Sequence, residues 1–276
     1  MDLQKLRDTP PWDWPEDAGE MLLGILRDDR VDEPSRLLAA ELAGDSTVMN
    51  DELADCLLSI VRNGEEPEHL RAKAVISLGP ALELADEGGY EGDPEEPPFA
   101  EDTFRKIQDS LRKLSMDTGV PKEVKRRILE ASVRAPQDWH QAAIRSAYSS
   151  DDEDWKLTAV FCMRWVSGFD DEILEALESR NPDIHYEAVC AAGNWELDAA
   201  WPHVAALVTS KGTGKPLLLA AIEAIAGIRP QEAVDLLADL TDADDDEIVE
   251  AASEALAMAE GLANNDFGEG NGKFLH

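Results

Sequence analysis

The segment Leu70 to Gly79, LRAKAVISLG, constrains the whole chain because its pattern returns along the length of the protein. With Arg71 as phase zero, Ala74, Val75, Leu78 and Gly79 fall three, four, seven and eight residues on, which is one face of an α-helix. The same face can be laid over helices beginning at Arg36, Lys125, Lys156, His185, Leu217 and Val249. Three residues on from each start stand Ala39, Ala74, Ile128, Ala159, Ala188, Ala220 and Ala252, all apolar and most of them small. The next positions are Ala40, Val75, Leu129, Val160, Val189, Ala221 and Ser253. The starts are 35, 54, 31, 29, 32 and 32 residues apart, one helical hairpin per step apart from a single insertion. A small-residue face lets neighbouring helices approach closely, and stacked hairpins bury a core that none could form alone. The expected fold is all-α, an α-α superhelix (solenoid) of about seven antiparallel helix pairs.

In chain order, residues 1–15 read as an irregular lead-in, with Pro10, Pro11 and Pro15 stopping helices and Trp12 and Trp14 placed to cap the open end of the first pair. Helix pairs are then expected at 16–27 and 34–43, 51–62 and 67–85, 100–116 and 121–134, and 138–148 and 152–166. Three more follow at 170–179 and 182–192, 198–209 and 216–228, and 230–240 and 244–259, so the repeat array spans about residues 16–260. Residues 87–98, EGGYEGDPEEPP, form an acidic inserted loop that accounts for the one long interval, and residues 261–276 are expected to be a flexible tail.

The spacing, the apolar-basic pair that opens each copy and the small-residue face resemble the HEAT repeat, in particular the short HEAT-like repeats of the phycobilin-lyase type. Arg36, Arg71, Lys125, Lys156 and His185 occupy the family's basic position, whereas Leu217 and Val249 depart from it. Armadillo-like and other α-solenoids remain open alternatives. The resemblance implies a repeat scaffold, and it also permits a bilin lyase or isomerase activity or a nucleic-acid-binding solenoid.

A formal net charge of −34 repels phosphate backbones and anionic membranes and favours basic partners. Locally the sign reverses. Between Arg105 and Arg134 nine basic residues face four acidic ones, the one stretch suited to nucleic acid or to the acidic loop before it. No apolar run is long enough to span a bilayer, and no signal-peptide pattern opens the chain, so no membrane association is expected. Cys56, Cys162 and Cys190 are odd in number, far apart and set in helical faces, which suits reduced thiols in a cytoplasmic protein.

Motifs for chemistry are weak. Ser210 to Lys215, SKGTGK, lacks the leading glycine and the Ser or Thr after the lysine that a phosphate loop needs. Asp242, Asp244 and Asp246 open like an EF-hand, but Glu247 stands where glycine is required, so they read as a capped helix start. The five histidines lack metal-ligand spacing, and no Ser or Cys carries a nucleophile signature. No metal, cofactor or catalytic residue is therefore expected.

If offsets three, four, seven and eight face the core, then two, five and nine face outward. In the central copies those positions are Arg127, Glu130 and Arg134; Thr158, Phe161 and Trp165; Glu187, Cys190 and Asn194. Phe161 and Trp165 are i, i+4 neighbours and suit a binding hot spot, with Arg127, Arg134 and Asn194 as polar flanks. The expected function is a non-catalytic scaffold for a protein partner with basic segments. The competing expectation is that both rings merely fill gaps between repeats.

Overall fold

The computed structural model describes residues 3–88 and 97–269, with side chains through residue 263. Among the described residues every regular element is helical. The chain forms two compact units, residues 1–143 and 144–276.

Unit 1 begins with a short helix α1 (Leu3–Arg7), followed by the pairs α2 (Ala18–Arg27) with α3 (Glu33–Leu42) and α4 (Asp51–Arg62) with α5 (Glu68–Ile76). Then come α6 (Gly79–Gly88) and the pair α7 (Glu101–Met116) with α8 (Lys122–Ser132). Helices pack in two layers: α2, α4 and α7 form one, and α3, α5 and α8 the other, with α6 also against α8. The repeating face lies between them, and Ala39, Ala40, Ala74, Val75 and Ile128 are wholly inaccessible to solvent. Local signals start these helices. Asp32 accepts the Ser35 amide at the start of α3, and Asn50 accepts that of Leu53 in α4.

The boundary between units falls within α9 (His140–Tyr148). Unit 2 continues with α10 (Glu153–Cys162), then pairs α11 (Asp170–Leu177) with α12 (Pro182–Asn194), α13 (Trp201–Thr209) with α14 (Lys215–Ile228), and α15 (Pro230–Ala238) with α16 (Asp246–Glu269). The second helices again form a layer, α10 to α12 to α14 to α16 in order. Gly193 of α12 lets α14 come close, since a Cβ there would lie 2.7 Å from the Ala224 Cα and Cβ.

Several expectations are corrected. The lead-in is not irregular throughout: α1 buries Leu3 and Leu6 and packs on α3. Trp14 does cover apolar surface there, its Nε1 donating to the Leu6 and Thr9 carbonyls at 3.0 and 2.8 Å, but Trp12 is 80% exposed and caps nothing. The helix expected over 67–85 breaks between α5 and α6, because Pro80 has no N–H for the Ile76 carbonyl and its ring obstructs a continuous turn. α10 stops at Cys162, where tighter turns (Arg164 N to Phe161 O, Trp165 N to Cys162 O) and Gly168 at φ 88° redirect the chain. At the other end α16 extends to Glu269. Most of the acidic loop, residues 89–96, and the last residues, 270–276, lie outside the described residues.

Candidate protein-binding surface

The basic position of the repeat has a structural task in the first two copies of unit 1. Arg36, buried, donates to the Leu26 carbonyl at 3.2 Å and holds both oxygens of Glu66 at 2.7 and 2.8 Å. Arg71, also buried, donates from Nε to the Val61 carbonyl at 3.0 Å. Each arginine thus reaches the last turn of the first helix in its own pair, where carbonyls lack intrahelical partners and the helix dipole favours a cation.

Most of the basic stretch is likewise committed within unit 1. Arg105 pairs with Glu101, Lys106 with Asp55 at 2.6 Å and Arg112 with Asp138 at 3.4 Å. Arg126 bonds Glu123 at 2.9 Å, and Arg127 bonds Glu123 at 2.9 Å and Glu130 at 2.6 Å. Arg134 pairs with Glu83 and packs on Gly79. Of the expected site residues, Arg127 and Arg134 are therefore engaged with their own chain's carboxylates. Glu130 is buried, contrary to its expected outward position, because α5 packs beside α8 and widens the arc that is covered.

Phe161, Trp165 and Asn194 lie in unit 2. The Phe161 and Trp165 rings meet at 4.9 Å between centroids, although Trp165 stands beyond the end of α10. The Arg164 guanidinium lies over both rings, 5.2 Å from Trp165 and 6.0 Å from Phe161, and bridges to Glu187 at 3.5 Å. Asn194 is exposed and its Nδ2 donates to the Arg164 carbonyl at 3.4 Å. Trp195, not foreseen from sequence, donates from Nε1 to the Met163 carbonyl at 2.6 Å and still leaves 36% of its surface exposed. Thr158, expected to face outward, is buried in the layer that α10 shares with α12.

A concave feature lies further along the same layer. Tyr186 of α12, Leu219 of α14 and Met258 of α16 line an open groove of about 490 Å³ whose remaining walls carry Glu223, Glu247, Glu250 and Glu254. Tyr186 is 37% exposed and Met258 51%. Leu219, Glu254 and Met258 stand at offsets two, five and nine of the last two copies. Extending the outward-face rule to those copies would have found them. The periodic signal is present in the sequence, although Leu217 and Val249 lack the basic residue that marks the other copies.

Polar clusters elsewhere are structural. In the phosphate-loop-like turn, Lys215 holds Asp245 at 2.8 Å and Glu247 at 2.6 Å, while Asp245 caps α16 by accepting the Glu247 amide at 3.1 Å. Buried Ser132 lies 2.9 Å from His140 Nε2, which resembles a nucleophile with its base. The hydrogen bonds run the other way: the Gln137 amide donates to Nδ1 at 2.8 Å, so Nε2 carries the proton and donates to Ser132, whose hydroxyl donates to the Ile128 carbonyl at 2.6 Å. Burial pushes the His140 pKa down to about 4, which keeps the ring neutral. His185, at the repeat's basic position, meets His203 with 2.8 Å between Nε2 atoms, and desolvation lowers its pKa as well.

No protein-family model matches the chain, and no curated protein does. Among solved structures it is similar to human deoxyhypusine hydroxylase, there in complex with glycerol, at 16% identity over 91% of this chain and 87% of that one, with a TM-score of 0.41. It is also similar to YibA of Escherichia coli, at 16% identity over 90% and 84% of the two chains and a TM-score of 0.46. An engineered protein is similar at 17% identity over 90% and 98%, with a TM-score of 0.36.

Proposed function

We propose that the protein is a non-catalytic interaction module that binds a basic protein through the second-helix layer of unit 2. The observation that carries this reading is the exposure of Tyr186 and Met258 on a groove walled by glutamates. Large apolar side chains left in solvent and framed by charge are what protein recognition needs, and a shallow open groove suits a polypeptide better than an enclosed small molecule. From Ile144 onward the chain carries eight Lys and Arg against twenty-seven Asp and Glu, so the attraction of a basic partner has little to cancel it. The reading places it in a cytoplasm-like reducing compartment, where Cys56 and Cys162 stay buried thiols.

The nucleic-acid alternative is not favoured, because so many cations of the basic stretch already face carboxylates. The bilin-lyase alternative gains no observation of its own. The test is affinity capture from cell extract with the wild type and with a Tyr186→Ala/Met258→Ala variant, after circular dichroism shows equal helicity. Proteins held by the wild type and lost by the variant are expected, with retention falling as salt rises. Identical capture by both proteins would overturn the assignment.

A further inference from the structure

The groove of unit 2 has a composition that specifies its occupant more closely. α14 packs against both α12 and α16, so Leu219 lies between the helices that supply Tyr186 and Met258. Along α16 the residues from Glu247 to Met258 cover about three turns, roughly 16 Å. Glu247 is engaged by Lys215. Glu223, Glu250 and Glu254 are exposed, and among the described residues no cation pairs with them. Glu250 and Glu254 are four apart on one helix, an arrangement of like charges that destabilises a helix when nothing neutralises it.

Resting on the protein-binding reading above, we propose that this groove seats a short amphipathic basic helix of a partner protein, about three turns long. Its apolar stripe lies on Tyr186, Leu219 and Met258, and lysines or arginines flanking the stripe meet Glu223, Glu250 and Glu254. A volume of about 490 Å³ has room for the side chains of one helix face. Cations at the rim offset the repulsion between Glu250 and Glu254. A second copy of this chain is a poor occupant, since each copy carries a net charge of −34.

The probe is a synthetic helical peptide of leucine and lysine with leucines at i, i+3, i+4 and i+7, titrated into the full chain by fluorescence anisotropy at low and moderate salt. Two controls accompany it: the same composition in strict alternation, and a leucine-glutamate helix. The helical basic peptide should bind, and Glu223→Gln/Glu250→Gln/Glu254→Gln should weaken it about tenfold or more at low salt, with a smaller loss at moderate salt. Neutralising Asp171 of α11, Asp235 of α15 and Asp239 just after α15, all exposed and away from the groove lining, should change binding less than about threefold. Met258→Ala should weaken binding about tenfold at both salt concentrations, since its part is apolar.

Hydrogen exchange should show protection confined to α12, α14 and α16. A chain ending at Glu269 should bind as the full chain does, whereas tighter binding by the shortened chain would give the groove to residues 270–276 and overturn the proposal. Equal weakening by the two sets of neutralisations, or equal binding of the alternating peptide, would reduce the effect to general charge attraction and also overturn it. If no helical probe binds while captured proteins still depend on Tyr186 and Met258, the helical occupant is wrong and the protein-binding reading stands. If that dependence is absent too, both fail.

Discussion

In the first two copies of unit 1 the first residue of the repeating face, Arg36 or Arg71, turns inward as a buried cation, while Lys125 of the third is half-buried. Arg36 and Arg71 each tie the end of the neighbouring first helix, and Arg36 does so with Glu66 beside it. In unit 2 the same phase is held by Lys156, which is only half-buried, and then by His185, Leu217 and Val249, and the helices are brought together by small residues, most closely at Gly193 against Ala224. The first device needs a carbonyl or carboxylate waiting at a fixed distance; the second needs only the absence of side-chain bulk. A repeat can therefore lose its basic residue and keep its packing. The pairing also differs at the surface. Cations in unit 1 face carboxylates of their own unit, while Glu223, Glu250 and Glu254 of unit 2 keep their charge unpaired among the described residues.

The largest effect expected from this difference is at Glu66. Glu66→Ala leaves Arg36 charged in a buried site with only the Leu26 carbonyl, and breaking such a pair costs about 3 kcal/mol or more. Truncating the equivalent phase in unit 2, Val249→Ala, should cost about 1 kcal/mol. Urea unfolding followed by circular dichroism compares the two, and equal losses would erase the distinction between a polar and an apolar tie.

Acid should sharpen the comparison next. His140 has a folded pKa of about 4, below its ordinary 6.5, so the unfolded chain binds the extra proton first. Its contribution is full above about pH 6.5 and is lost as pH falls toward 4, a change on the order of 3 kcal/mol from burial in unit 1. His185 is shifted in the same direction but is only partly buried, so unit 2 should show a weaker dependence of the same sign. Urea midpoints at pH 7 and pH 4.5 should fall further for the wild type than for His140→Asn. Parallel loss in both proteins would show that His140 is not held neutral.

A smaller effect separates the two close approaches. Gly193→Ala drives a methyl group into Ala224, where backbone and Cβ both lie 2.7 Å away, and should cost about 1–3 kcal/mol. Gly79→Ala meets the Arg134 Cδ at 2.9 Å, the flexible part of a side chain that can shift, and should cost less. Thermal melts rank them. The reverse order would mean that the Arg134–Glu83 pair is the more rigid of the two contacts.

The order of the helix pairs and the buried face were legible because both depend on local periodicity. Capping residues, prolines and a 3.6-residue apolar rhythm act within a turn or two of themselves. Ala39, Ala74, Ala159, Ala188 and Ala252 could be assigned to the core from spacing alone, and each is wholly buried. The break at Pro80 is legible in the proline itself but masked by the apolar face, which continues in phase across it. The Phe161–Trp165 contact follows from their separation, while the Arg164 guanidinium covering both rings does not.

What the sequence by itself determined is which residues share a helix face and roughly where each helix begins and ends. What only the tertiary structure decided is the fate of the other faces. Glu130 and Glu254 occupy the same offset in their copies, yet one is buried and the other exposed. The physical reason is the neighbourhood: α8 has α5 and α6 packed beside it and a paired Arg127, whereas α16 has α14 as its only principal second-helix neighbour among the described residues. Burial and charge pairing at such positions depend on helices some thirty residues or more away, and no local pattern encodes which of them arrives.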